Sequence, residues 1–199
     1  MAVASGADFI GLVFYPKSPR NVSIEQAIPL AEQARGKTKI VALTVDADDA
    51  LLYEIAQQVQ PDYIQAHGSE TPDRIAEIRN KTGLPVIKAI KVRERSDIAQ
   101  ADAYEGVADI ILFDAKAPDD MANALPGGNA ISFDWSLLTS NPLPDGFMLS
   151  GGLNIDNIAQ AVKTTDAAIF DVSSGVESQL GKKDLAAIKN FIVAMRNAG

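Results

Sequence analysis

The residues with the most chemical reach in this 199-residue chain sit where apolar runs break into glycine and serine. Phe147-Met148-Leu149 gives way to Ser150-Gly151-Gly152-Leu153-Asn154, and Ile169-Phe170-Asp171-Val172 gives way to Ser173-Ser174-Gly175-Val176-Glu177. Each run has the length and composition of a buried parallel strand. After the first, a helical pattern opens with Asn154 as the expected N-cap. Bare backbone amides beside a helix start suit an anion. A single Gly-Gly would predict only a tight turn. Two such turns on consecutive strands describe the phosphate site that βα-barrels build after their last two strands. Gly151, Gly152, Ser173, Ser174 and Gly175 are therefore the candidate phosphate-binding residues.

Four further side chains stand at the ends of apolar runs. Asp114 closes Ile110-Ile111-Leu112-Phe113, where burial favours a protonated carboxyl fit for general-acid work, or where it could instead cap the next loop. Arg20 ends a proline-stiffened segment after Phe14-Tyr15, and its guanidinium fork suits a carboxylate or phosphate. If that segment does not fold over the site, a surface salt bridge is the better expectation for Arg20. His67 is the only histidine, and a lone histidine at a strand end is more often a hydrogen-bonding group than a catalyst. Asp171 lies at the base of the second turn, placed either to orient amides or to touch substrate.

Seven short Val- and Ile-rich runs, at residues 9–15, 39–45, 63–67, 85–92, 108–115, 146–152 and 167–174, must position these groups. Between them lie helical patterns at 23–35, 48–58, 71–82, 96–104, briefly after 134, then 155–163 and 184–197. Ser23, Asp48 and Thr71-Pro72 supply start signals. Strict alternation predicts a parallel sheet with right-handed crossovers. Polar residues cap nearly every run, which is how a barrel feeds its active face, whereas an open doubly wound sheet uses one switch point. The expectation is one α/β domain over residues 1–199, a TIM-type (β/α)8 barrel of the phosphate-binding group with about seven of its eight βα units. Residues 1–6 read as the end of a helix, so the first strand and most of the first helix are expected to be missing. The stretch 116–132 reads as a long irregular loop, usually a sign of function or mobility.

With 47% hydrophobic residues the chain can bury a sizeable core, and its formal charge of −8 disfavours nucleic acid or an anionic membrane surface. It contains no cysteine, hence no disulfide, no thiolate metal site and no thiol nucleophile. Its N-terminal apolar run is too short for a signal or a span. The expectation is a cytoplasmic protein acting on a small molecule, without a metal.

Taken together, the strings Gly11-Leu12-Val13-Phe14-Tyr15-Pro16-Lys17-Ser18-Pro19-Arg20, Gln65-Ala66-His67-Gly68, Pro85-Val86-Ile87-Lys88-Ala89, Phe113-Asp114-Ala115-Lys116, Phe133-Asp134-Trp135-Ser136, the two Gly/Ser turns and Gly181-Lys182-Lys183-Asp184 resemble the phosphoribosylanthranilate isomerase family. The resemblance spans the chain and implies a cofactor-free Amadori rearrangement in tryptophan biosynthesis. It implies Asp114 as the general acid that opens the furanose ring, Arg20 as the clamp on the anthranilate carboxylate, and the Gly/Ser turns as the phosphate site. His67 and Asp171 would be further substrate contacts.

Two departures accompany the resemblance. The family opens with a strand ending Lys-Ile-Cys-Gly, whose cysteine is the general base, and this sequence has no cysteine. The family also has Gly-Gly-Thr/Ser-Gly where this chain has Gly127-Gly128-Asn129-Ala130. The resulting expectation is a weakened isomerase with open sheet edges that favour a homodimer. A non-catalytic phosphosugar-binding barrel and a truncated interaction module are the alternatives.

Overall fold

A computed structural model describes residues 1–118, 127–129, 131–139 and 143–199. Seven strands form one parallel sheet in chain order: β1 Phe9–Phe14, β2 Lys39–Thr44, β3 Tyr63–Ala66, β4 Val86–Val92, β5 Ile110–Ala115, β6 Met148–Leu149 and β7 Ile169–Phe170. Each strand pairs with its sequence neighbour, and β1 and β7 lie at the two ends of the sheet. This winding is that of a βα-barrel; a doubly wound sheet reverses its order at a switch point.

The connecting helices begin where capping chemistry places them. In α1, Ile24–Ala34, Ser23 accepts from the Gln26 N–H while the Gln26 side chain accepts from the Ser23 N–H. Asp48 caps α2, Asp49–Glu54, and Thr71 caps α3, Pro72–Thr82, with proline at the first position. Asp184 caps α6, Leu185–Arg196, by accepting from the Ala187 N–H.

Several expectations need correction. The helix expected over 48–58 continues past α2 as a wider π-turn, Ile55–Val59. The one expected over 96–104 is a single turn, α4 Arg95–Ile98, followed by a 3-10 segment, Ala99–Tyr104. Residues Val3–Ser5 make one 3-10 turn closed by Gly6 at φ +83°. Asn154 does not cap α5, which spans Ile158–Thr164 and follows Asn157. Its side chain instead accepts from the Asp156 N–H, and its own N–H donates to Asn157 Oδ1; this local turn competes with the helix start. Strands β6 and β7 are only two residues long because the chain turns at once into the Gly/Ser segments. A hairpin of β8, Glu177–Gln179, and β9, Lys182–Lys183, was not expected. Of the long loop, residues 119–126 and 130 lie outside the described residues.

Alternation along the strands sorts side chains to two faces. Leu12, Phe14, Ile40, Ala42, Ile64 and Ala66 pack under the first helices, and Ile90, Val92, Phe113 and Leu149 under the later ones. The other face carries a small apolar layer of Val41, Ile87, Ala89, Leu112 and Met148, with Ile169 against it. Two residues further along the same face come Leu43, Asp114, Ser150 and Asp171. The same parity on β3 puts Gln65 and His67 there. An apolar floor thus lies beneath a ring of polar strand ends.

Candidate active site

Those strand ends meet in a cavity of about 650 Å³, mouth included. It brings together Arg20, His67, Asp114, Asp171 and the turn residues Gly151, Gly152, Ser173 and Ser174. Gly175 stands behind them, bridged to Asn154, where a Cβ would come within 2.0 Å of the Leu153 carbonyl oxygen. Only glycine permits that approach of the two turns.

Asp114 is 2% exposed, and its Oδ2 lies 3.1 Å from His67 Nε2. Its Oδ1 accepts from the Ala115 N–H. On the far side of the ring, Gln65 Nε2 is 3.0 Å from His67 Nδ1. Gly127 closes over the pair, since a Cβ there would lie 2.9 Å from both Asp114 Oδ2 and His67 Nε2. The resemblance departs at Asn129 and Ala130, of which Ala130 is outside the described residues.

Asp171 keeps part of its surface open to the cavity but is otherwise walled in by protein. Burial pushes its carboxyl above the usual range; the Ser150 hydroxyl, donating to Oδ2 at 3.0 Å, opposes this, and the charge of Asp114 adds to it.

Arg20 reaches the mouth because the segment after β1 folds back. Ser18 N–H donates to the Tyr15 carbonyl, Arg20 N–H to Ser18 Oγ, and Asn21 bridges to Val13. The guanidinium then donates from Nε and Nη2 to the two carboxylate oxygens of Glu177 at 2.7 and 2.9 Å. Nη1 lies beside Gly128, where a Cβ would be 2.7 Å away. Glu177 also accepts from Lys183 Nζ and the Gly181 N–H. Burial works against the charge of Glu177, yet these donors bring it down to about 2.

The first turn is built on left-handed backbone that glycine adopts without strain and any other residue would not. Gly151 has φ +94° and a Cβ would meet Ala115 N at 2.6 Å; Gly152 has φ +61° and would meet the Ile131 backbone at 2.6 Å. Val13, Leu43 and Val45 supply an apolar wall near Arg20. Among the described residues no group of three or more His, Cys, Asp or Glu could hold a metal, and no helix is long and apolar enough to cross a membrane.

Sequence reasoning did not single out Glu177, Gln65, Ser150 or the apolar wall. The period-2 placement of Gln65 relative to His67, and of Ser150 relative to Met148, was the available signal. Nothing local predicts Glu177 beside Arg20, because 157 residues separate them.

Over residues 1–194 the chain matches the family described as N-(5'phosphoribosyl)anthranilate (PRA) isomerase. The chain belongs to this family. An N-(5'-phosphoribosyl)anthranilate isomerase of Rhizobium meliloti (strain 1021) is 52% identical over 197 residues, covering 99% of this chain and 91% of the relative. One from Rhodopseudomonas palustris (strain BisA53) is 50% identical over 195 residues, covering 98% and 88%. The crystal structure of the phosphoribosyl anthranilate isomerase from Thermotoga maritima superposes with a TM-score of 0.86 at 35% identity, covering 98% of this chain and 91% of that one. A phosphoribosyl anthranilate isomerase in complex with reduced 1-(o-carboxyphenylamino)-1-deoxyribulose 5-phosphate gives 0.84 at 33% identity, again covering 98% and 91%. The family is thus an isomerase family on a βα-barrel, as the sequence led one to expect.

Proposed function

We propose that this chain carries out the family's reaction, the Amadori rearrangement of N-(5'-phosphoribosyl)anthranilate to 1-(2-carboxyphenylamino)-1-deoxyribulose 5-phosphate, as a cytoplasmic step of tryptophan biosynthesis. The observation that carries the reading is that Asp114, Arg20 and both Gly/Ser turns border one cavity. The reduced 1-(o-carboxyphenylamino)-1-deoxyribulose 5-phosphate in complex with the relative bears a carboxylate at one end and a phosphate at the other. Here the Gly151-Gly152 and Ser173-Ser174 turns would hold the phosphate, with Gly175 allowing their approach. Arg20, braced on Glu177, would hold the carboxylate through its Nη1 edge, with the aromatic ring against Val13, Leu43 and Val45.

Asp114 gives its proton to the furanose ring oxygen as the C1–O bond breaks. The ring oxygen becomes a hydroxyl, the anilinic nitrogen takes up the positive charge as a Schiff base, and the Asp114 carboxylate left behind accepts from His67 Nε2. A base then takes the C2 proton, giving the enolamine that tautomerises to the ketose. Asp171 would accept from a sugar hydroxyl. These 199 residues contain no cysteine, the residue the resemblance casts as the base. The 199-residue chain is therefore expected to turn over slowly by itself, short by the ~10²–10⁴-fold a positioned base contributes. Joining a Lys-Ile-Cys-Gly strand and helix ahead of residue 1 should raise the rate by that factor.

The test has two arms in the extended chain. Asp114→Asn should lower kcat by ~10²–10⁴-fold with little change in binding of the reduced product, measured by calorimetry. Ser174→Asp sets a carboxylate in the phosphate turn without needing left-handed backbone, so it separates charge from strain, as a substitution at Gly152 would not. It should abolish analogue binding and its competition by inorganic phosphate. Full activity in Asp114→Asn, or unchanged binding in Ser174→Asp, would overturn the corresponding assignment.

A further inference from the structure

Gln65 on β3 and His67 just past its end stand two apart in extended backbone and so share the inner face. Both are buried, at 6% and 3% exposure. The Gln65 amide nitrogen lies 3.0 Å from His67 Nδ1, and His67 Nε2 lies 3.1 Å from Asp114 Oδ2. A primary amide nitrogen only donates, so Nδ1 must present its lone pair. A neutral imidazole then carries its hydrogen on Nε2, aimed at Asp114.

We propose that Gln65 is a positioning residue that locks His67 as the neutral Nε2–H tautomer. The consequence is chemical. An imidazolium needs a second hydrogen on Nδ1, and that hydrogen would point into the two amide hydrogens of Gln65. Asp114 and Asp171, the acidic groups facing the ring, both attract such a proton, and the amide opposes them. With its hydrogen on Nε2 and the Gln65 amide hydrogens against Nδ1, the neutral ring faces Asp114 Oδ2 as a donor and offers it no lone pair. The acid's proton is thereby kept for the substrate, and Nε2–H remains free to stabilise the carboxylate once that proton has gone. The inference rests on the reading of Asp114 as the acid, but the lock itself is a property of the ring and can be observed without turnover.

His67 is the only histidine among the 199 residues, so every imidazole resonance in the full chain belongs to it. Long-range proton–nitrogen correlation spectra of the 15N-labelled chain at neutral pH should show Nδ1 with the shift of a lone-pair nitrogen and Nε2 with that of a protonated one. Gln65→Glu places a carboxylate at Nδ1 and should give a ring protonated on both nitrogens. Gln65→Met keeps the length but removes the donor and should give mixed tautomers. In both variants kcat should fall by roughly 10–100-fold, the size seen when outer partners of metal-bound histidines are lost, while KM stays within a factor of a few. A wild-type ring carrying its hydrogen on Nδ1, or a Gln65→Met ring still held as pure Nε2–H, would overturn the lock. If the ring shifts as expected while Asp114→Asn retains full turnover, the lock stands and the acid assignment falls.

Discussion

Asp171 is where function and folding pull apart. Its carboxyl is raised by burial, with the neighbouring Asp114 adding to the effect. A group raised on folding gives its full stability below its unfolded pKa and loses it as pH rises through the folded one. Above the ordinary carboxylate range, where the unfolded chain bears this charge freely, the buried Asp171 therefore costs stability. Asp171→Asn removes that charge, keeps the shape and can still accept from Ser150. It should raise Tm at pH 8 by roughly 2–4 °C, a gain on the order of 1 kcal/mol for a chain this long, and the gain should vanish in acid. The same variant should weaken catalysis if Asp171 contacts a sugar hydroxyl. Scanning unfolding at pH 4 and pH 8 decides it: a gain equal at both would show that charge is not the cause. At this scale the sequence was informative about residue type and position along a strand, since Asp114, His67 and Asp171 were all picked out from strand ends. It could not reveal who faces whom, because the His67–Asp114 contact joins strands 47 residues apart.

Among the elements, the hairpin of β8 and β9 carries most of what the sequence left hidden. Its strands, Glu177–Gln179 and Lys182–Lys183, are short and polar, with no alternation that would mark them as strands. Yet the hairpin places Glu177 under Arg20 and Lys183 on the Ser173 carbonyl, so one element braces both the proposed carboxylate clamp and the proposed phosphate turn. The capped helices α1, α2 and α3 were legible because Ser23, Asp48 and Thr71 act on neighbours within the same turn. Asn154 misled because its side chain and amide are taken up in a local turn with Asp156 and Asn157, so α5 begins further on, at Ile158. Glu177→Gln should keep a hydrogen bond to Arg20 but lose the charge-assisted pair, letting the guanidinium wander. An increase in KM of about tenfold with kcat nearly constant is expected, the scale of one such bond. Glu177 is lowered to about 2, so its stabilisation is present above the usual carboxylate range and is lost as pH falls toward 2. The stability difference between wild type and variant should therefore be larger at pH 6 than at pH 3. A difference independent of pH would remove the ion pair from the account.

At the scale of the whole molecule the question is what the ends of the sheet do. Among the described residues β1 pairs with β2 and is otherwise bridged at Val13 by Asn21, while β7 pairs with β6. Away from the Asn21–Val22 segment, which already occupies Val13, the outer edges of the end strands present backbone N–H and C=O groups in extended conformation, the usual template for joining another chain. The cost of leaving these groups wet is small, but Val13, Ile169 and Phe170 beside them are only half-buried, so covering them also removes apolar surface from water. Hydrophobic burial and strand pairing thus act in the same direction. We propose that the 199-residue chain folds as one domain and associates through these edges. Since association stabilises only the folded form, Tm should rise with protein concentration. Sedimentation velocity should show monomer giving way to dimer, with a single unfolding transition at each concentration if the chain is one domain. Adding a strand and helix ahead of residue 1 should abolish the concentration dependence by occupying the edges. A monomer at every concentration with a fixed, sharp transition would mean that the edges are already protected, and would leave the proposed slow turnover of the 199-residue chain to be explained by its chemistry alone.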